Sequence, residues 1–187
     1  DYPEKLYIAA GFHPEQLLLN LEEQEELFQW IDEHHSLISA IGEVGLPHYS
    51  KRENSNLDYA SYIELLERFI LIAKKWDLPL NLHIVHNDVD IALELLQKHN
   101  IHRAHFHWFK TDEKSFQKFL STPYFASLTP DILWNHKTQY VAQYLSLNRL
   151  MIETDSPWPH EGFESAVISE QLFAVVKKVA ELKSLPL

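Results

Sequence analysis

Short β-type runs alternate with longer segments of helical period along the whole chain, and this alternation limits the fold more than any other feature. The strand candidates are Leu6–Ala10, Leu37–Gly42, Leu78–Ile84, Arg103–Trp108, Tyr124–Leu128 and Leu150–Glu153. Between them the spacing predicts helices over Leu21–Glu33, Asp58–Trp76, Asp88–His99, Asp112–Leu120, Ile132–Leu145 and Ser165–Lys183. The clearest is Asp58–Trp76, where Tyr59, Ile63, Leu66, Ile70 and Ala73 recur three or four apart. Alternating β and α implies a parallel α/β sheet with right-handed crossovers. Six strands fit an open doubly wound sheet, or six of the eight strands of a TIM-type (β/α) barrel. With only 4 glycines and no glycine-rich loop after any strand, a Rossmann or P-loop nucleotide domain is disfavoured. The 187 residues, without internal repeat or linker, are read as a single domain spanning 1–187.

The formal net charge is −11, so a broad basic surface for gripping nucleic acid is not expected. Bound divalent cations would neutralise a local acidic site, which keeps nucleic acid open as a substrate. The chain has no cysteine, which excludes disulfides, thiolate nucleophiles and cysteine-type zinc sites. The opening Asp1-Tyr2-Pro3-Glu4-Lys5 lacks the basic and apolar regions of a signal peptide, and no apolar run approaches about 18 residues. A cytoplasmic protein without a membrane span is expected. The first residue is not Met, which hints at an N-terminal portion processed, cut or left out.

Five residues sit at the C-terminal ends of predicted strands: His13, Glu43, His83, His107 and Asp155. Each has a plain structural alternative. Glu43 lies in an otherwise apolar run, Ile38–Gly45, where a carboxylate must be solvated, paired, protonated or bound to metal. A lone imidazole such as His83 in Leu80–Val85 is more often a satisfied core histidine than a ligand. Strand alternation places His105 and His107 on one side, so one or both face a site, or stack among Phe106, Trp108 and Phe109. Asp155 precedes a proline-stiffened loop and would otherwise cap a turn. His13, before Pro14, either caps its loop or meets an anionic substrate. Most other histidines, His160 included, read as surface residues. Jointly the plain alternatives weaken, because imidazoles and carboxylates recurring at one end of successive β/α units suit a divalent metal. No G-x-S-x-G elbow offers a rival nucleophile.

The strings GFHP (Gly11–Pro14), IGEVGL (Ile41–Leu46), LPLNLHIV (Leu78–Val85), HFHWF (His105–Phe109) and ETDSPW (Glu153–Trp158) resemble successive strand-end motifs of the TatD-type metal-dependent deoxyribonucleases, in the family order. The resemblance implies a TIM-type barrel of the amidohydrolase-like group with one or two divalent metal ions, Mg, Mn or Zn. By this resemblance Glu43 bridges two metals, and His83 and His107 are imidazole ligands. Asp155 binds the first metal and orients or deprotonates the attacking water, and His13 lies near the substrate phosphate. The family's strand-1 H-x-H pair has no counterpart before Gly11. About six of eight β/α units are therefore expected, with half of the first metal's ligands missing. The chain also stops, at Lys183–Leu187, where the family usually adds a short helical stretch. Pro47 stands where Asp is usual, Val85 where Arg is usual, and Lys110-Thr111 where a small Ser-Gly pair is usual, which suggests a divergent branch of the family and with it a different substrate.

The expected activity is hydrolysis of DNA phosphodiester bonds, with Trp108 and Trp158 available to stack a base. The alternatives are hydrolysis of another small ester, lactone or amide on the same site, and a non-catalytic barrel fragment with an incomplete metal site.

Overall fold

The computed structural model describes residues 6–163 and 167–187. The opening Asp1–Lys5, and Ser165 and Ala166 of the last expected helix, lie outside them. Among the described residues the strands are β1 (Ala9–Ala10), β2 (Ala40–Gly45), β3 (Leu80–His83), β4 (Ala104–Phe106), β5 (Phe125–Leu128) and β6 (Leu150–Ile152). The helices are α1 (Leu21–His34), α2 (His48–Glu53), α3 (Tyr59–Trp76), α4 (Asp88–Lys98), α5 (Glu113–Leu120), α6 (His136–Tyr144) and α7 (Ile168–Leu182). The class is α/β, with strands paired in parallel and helices between them. The chain divides into two compact units, Asp1–Ile84 with Asp90–His105, and Val85–Val89 with Phe106–Leu187.

In the first unit β1 and β2 pair in parallel register, Ala9 with Ala40 and Ala10 with Ile41. β2 and β3 pair with Ile41 opposite Leu80 and Gly45 opposite His83. The register slips between Ile41 and Val44, a bulge-like irregularity. Glycine allows this close approach. A Cβ on Gly42 would meet Asn81, and one on Gly45 would meet the His83 carbonyl. α3 lays an apolar face on β2, burying Leu65, Leu66, Phe69 and Ile70 with Ile41, Val44 and Leu80. Both helices start where side chains satisfy the first backbone amides. Asn20 and Glu23 form a reciprocal capping box on α1. The Asp58 carboxylate accepts from Ser61 N on α3.

In the second unit β5 and β6 pair in parallel, Ala126 with Leu150 and Leu128 with Ile152. Its core is largely aromatic. Phe106, Phe109 and Phe119 pack with ring centroids 4.5 to 5.5 Å apart, all fully buried. Asp112 caps α5 by accepting from Ser115 N.

The expected helix Ile132–Leu145 is two elements, a 3-10 turn at Pro130–Leu133 and then α6. Side chains compete with a continuous helix here. Thr129 caps the turn, Trp134 N closes it onto Asp131 O, and Asn135 restarts the helix by accepting from Lys137 N. The first strand is shorter than expected: Leu6, Tyr7 and Ile8 are exposed, and pairing begins at Ala9. β2 runs three residues further than Leu37–Gly42. α2 falls in a segment with no expected element.

Candidate metal centre

Three of the expected residues gather in the first unit. His13 follows β1, Glu43 lies in β2 and His83 ends β3. One ligand atom from each lies within 4.8 Å of the others. His13 Nε2 stands 3.5 Å from Glu43 Oε2, His83 Nδ1 stands 3.8 Å from the same oxygen, and the two imidazoles meet edge to face at 4.5 Å. His83 is buried, whereas the His13 side chain is 44% exposed and forms the open side of the group.

Glu15, which the sequence reading passed over, stands behind this group. Its carboxylate accepts from Tyr49 N and Ser50 N at 2.8 Å each, and from Ser50 Oγ at 2.6 Å. Its other neighbour is His83 Nε2, at 3.6 Å. Burial pushes the Glu15 carboxyl up, but these donors outweigh it and hold its pKa down at about 2. Burial also opposes a charge on His83, yet Glu15 and Glu43 prevail and raise its pKa. One imidazole thus lies between two carboxylates, a field that favours a cation. Neutral imidazole nitrogen plus carboxylate oxygen is also the donor set that borderline divalent metals take. The residues present fit a divalent metal ion.

The remaining two expected residues meet in the second unit, beyond the ends of β4 and β6. His107 is buried, with Nδ1 3.9 Å from Asp155 Oδ1 and 3.7 Å from Glu153 Oε1. Glu153 also accepts from Trp108 N and Ser127 Oγ. Burial raises the Glu153 carboxyl, and contact with His107 together with these bonds brings it down to about 2. Glu153 is the second residue missed. Its only sequence signal is its place two residues before Asp155 in the ETDSP run.

Of the two histidines that strand alternation offered, His107 and not His105 joins the group. β4 ends at Phe106 and Trp108 has φ of 40°, so the two-residue period stops between them. His105 Nδ1 bonds Asn81 Oδ1 instead, at 2.8 Å. His160, read as a surface residue, is buried, with Nε2 2.7 Å from Thr154 O. Trp108 is flanked by Trp158 at 5.9 Å, His160 at 5.1 Å and the Lys110 ammonium at 4.0 Å. Trp158 is exposed, and Trp108 is half-buried.

Parallel β/α units with imidazoles and carboxylates gathered in or just after their strands define a TIM-type α/β protein with a candidate metal centre. The chain belongs to the TatD-related DNase family, whose model matches residues 1–187. It is 88% identical, over its full length and 74% of the relative, to an uncharacterized metal-dependent hydrolase of Haemophilus influenzae. It is 27% identical to the human deoxyribonuclease TATDN3, over 80% of this chain and 57% of that one. Among solved structures it is similar to the TatD homologue YjjV of Escherichia coli, with a TM-score of 0.82 and 26% identity. That match covers 99% of this chain and 73% of the other. Among the described residues no helix is long and apolar enough to cross a membrane.

Proposed function

We propose that the chain is a metal-dependent hydrolase that cleaves phosphodiester bonds, with DNA as the substrate class. The observation that carries this reading is the convergence of His13, Glu43 and His83 within 4.8 Å, behind which Glu15 fixes one imidazole. Glu43 and His83 would hold a divalent cation, of the Mg, Mn or Zn type. In the second unit His107 and Asp155 would be metal ligands as well. A cation bound there supplies Lewis acidity, drawing electron density from a phosphoryl oxygen and making water acidic enough to attack near neutral pH.

The chain's own residues position and deprotonate. Glu15 faces His83 Nε2 at 3.6 Å and Glu43 faces Nδ1 at 3.8 Å, so the two carboxylates flank the ring and would orient it. His107 Nδ1 faces Glu153 at 3.7 Å and Asp155 at 3.9 Å, and the two carboxylates would orient this ring. Asp155 takes the proton of the attacking water. His13, on the exposed side of its group, meets the substrate phosphate. The deoxyribonuclease name of the human relative supports nucleic acid as the substrate class.

The test is cleavage of a labelled DNA oligonucleotide by the purified chain with Mg, Mn or Zn, against a chelator control and a panel of carboxylic esters, lactones and amides. Metal-dependent DNA cleavage is expected, and Glu43→Ala should lower it by at least about a hundredfold, as loss of a principal electrostatic group does. Activity retained in Glu43→Ala, or confined to the ester panel, sinks the reading.

A further inference from the structure

The bend that carries Asp155 is fastened by a buried histidine. Asp155 has a φ of 52°, in the left-handed region that residues with a Cβ rarely adopt, although aspartate tolerates it better than most. The chain is pinned on both sides of it. Upstream, Glu153 N donates to Leu128 O at 3.0 Å and continues the β5–β6 pairing one residue past β6. Downstream, Trp158 N donates to Asp155 O at 2.9 Å and closes a four-residue turn. Between these anchors lies the peptide that joins Thr154 to Asp155. Its carbonyl oxygen lies 2.7 Å from His160 Nε2.

A carbonyl oxygen has no proton to give, so His160 Nε2 is the donor and carries the ring proton. His160 is 2% exposed, its ring meets Trp108 at 5.1 Å, and Thr154 is buried with it. Among the described residues no other donor reaches Thr154 O. The geometric consequence follows from the planarity of the peptide bond. Thr154 O and Asp155 N lie in one plane, so holding the oxygen holds the plane from which the Asp155 Cα departs. Trp158 N holds the carbonyl on the other side of that Cα. With both sides fixed, the direction of the Asp155 side chain is fixed too. Its carboxylate stands with Oδ1 3.9 Å from His107 Nδ1.

We propose that His160 is a positioning residue for Asp155: by holding the Thr154 carbonyl it sets the left-handed bend that aims the Asp155 carboxylate. The role belongs to the Nε2 donor, not to the ring as a filler beside Trp108. Pro157 and Pro159 limit φ along the short path from Asp155 to His160, so the bond closes a chain with little freedom left to lose. A glutamine amide can place its nitrogen where Nε2 stands, whereas the shorter asparagine reaches only as far as Nδ1. The inference rests on the proposed role of Asp155 as metal ligand and base; the bond from His160 to Thr154 does not.

The test compares His160→Asn, His160→Gln, Asp155→Asn and the double variant His160→Asn/Asp155→Asn in the whole chain. Affinity for Mn or Zn is read by competition with a chromophoric chelator, and kcat and KM are read on a DNA oligonucleotide. His160→Asn should weaken metal binding by about 10- to 100-fold, the range for groups that orient a ligand. It should lower kcat with KM little changed. His160→Gln should recover most of the loss. In the Asp155→Asn background His160→Asn should cost nothing further, because a residue that acts through Asp155 has nothing left to aim. Unchanged affinity in His160→Asn, a loss in His160→Gln as large as in His160→Asn, or an undiminished further loss in the double variant each overturns the proposal. Asp155→Asn separates the two readings. If it leaves metal and cleavage untouched, the role of Asp155 falls and the positioning falls with it. If it impairs them while His160→Asn does not, the positioning alone falls. Should His160→Asn fail to fold, ring nitrogen signals of wild type decide, with the His160 signal assigned through His160→Gln. A proton on Nε2 protected from exchange is expected, and a bare Nε2 overturns the proposal.

Discussion

At the residue scale, the most informative side chain is one that touches no substrate. Glu15 makes three hydrogen bonds to Tyr49 and Ser50 and faces His83 Nε2 at 3.6 Å. A carboxylate on the far nitrogen of a ligand imidazole fixes its tautomer and ring plane and raises its basicity. Glu15→Gln keeps the shape but loses the charge, and its amide group cannot accept from every donor. Metal affinity, measured by competition with a chromophoric chelator, should fall by about 10- to 100-fold. Ser50→Ala is the control, because it removes one donor to Glu15 and leaves the carboxylate facing His83. If Glu15 only tied its loop to α2, Ser50→Ala would weaken the metal as much as Glu15→Gln does. Unchanged metal affinity in Glu15→Gln would remove the residue from the site altogether.

At the element scale, helix α3 in the first unit is fastened to the end of α4 by one carboxylate. Glu67 faces Lys98 Nζ at 2.6 Å and also bonds His99 Nε2. These donors lower the Glu67 pKa against a small effect of burial. A depressed carboxyl stabilises the fold above its unfolded value, near 4.3, and that stability is lost as pH falls through the folded value. Urea melts of wild type and Glu67→Gln should therefore differ near neutral pH and converge as the pH drops below about 4. A difference that persists undiminished at low pH would show that packing, not charge, joins the helices. Elements like α3 were legible in the sequence because local signals agree: apolar spacing, an Asp58 cap and a C-terminal turn at Asp77. The same holds for α1 and for the five candidate residues in or just after the strands, which the structure gathers as two groups, His13 with Glu43 and His83, and His107 with Asp155. Where local signals conflict, legibility stopped. Asn135 and Thr129 broke the helix expected through Trp134. Glu15 and Glu153 were invisible because their partners, Ser50 and Trp108, lie 35 and 45 positions away. No periodicity carries a contact of that range.

At the scale of the whole molecule, the charge of −11 makes the chain's response to cations ambiguous until screening is separated from binding. An acidic protein is destabilised by its own repulsion, and any salt relieves part of that. A site that binds only the folded state adds RT ln(1 + [M]/Kd), about 2.7 kcal/mol when the metal stands at 100 times its Kd. For a chain of this length that corresponds to a rise in Tm of roughly 5–10 °C. Screening depends on ionic strength alone and is indifferent to Glu43, whereas site binding saturates and depends on the donor set. Thermal melts at constant ionic strength separate the two. Adding Mn or Zn to chelator-treated wild type should raise Tm by that amount and level off. Glu43→Ala should show no saturable rise, while keeping the same response to sodium chloride as wild type. An equal metal-induced rise in Glu43→Ala would mean that cations stabilise this chain through its general negative charge, and Glu43 and His83 would lose their claim to be metal ligands.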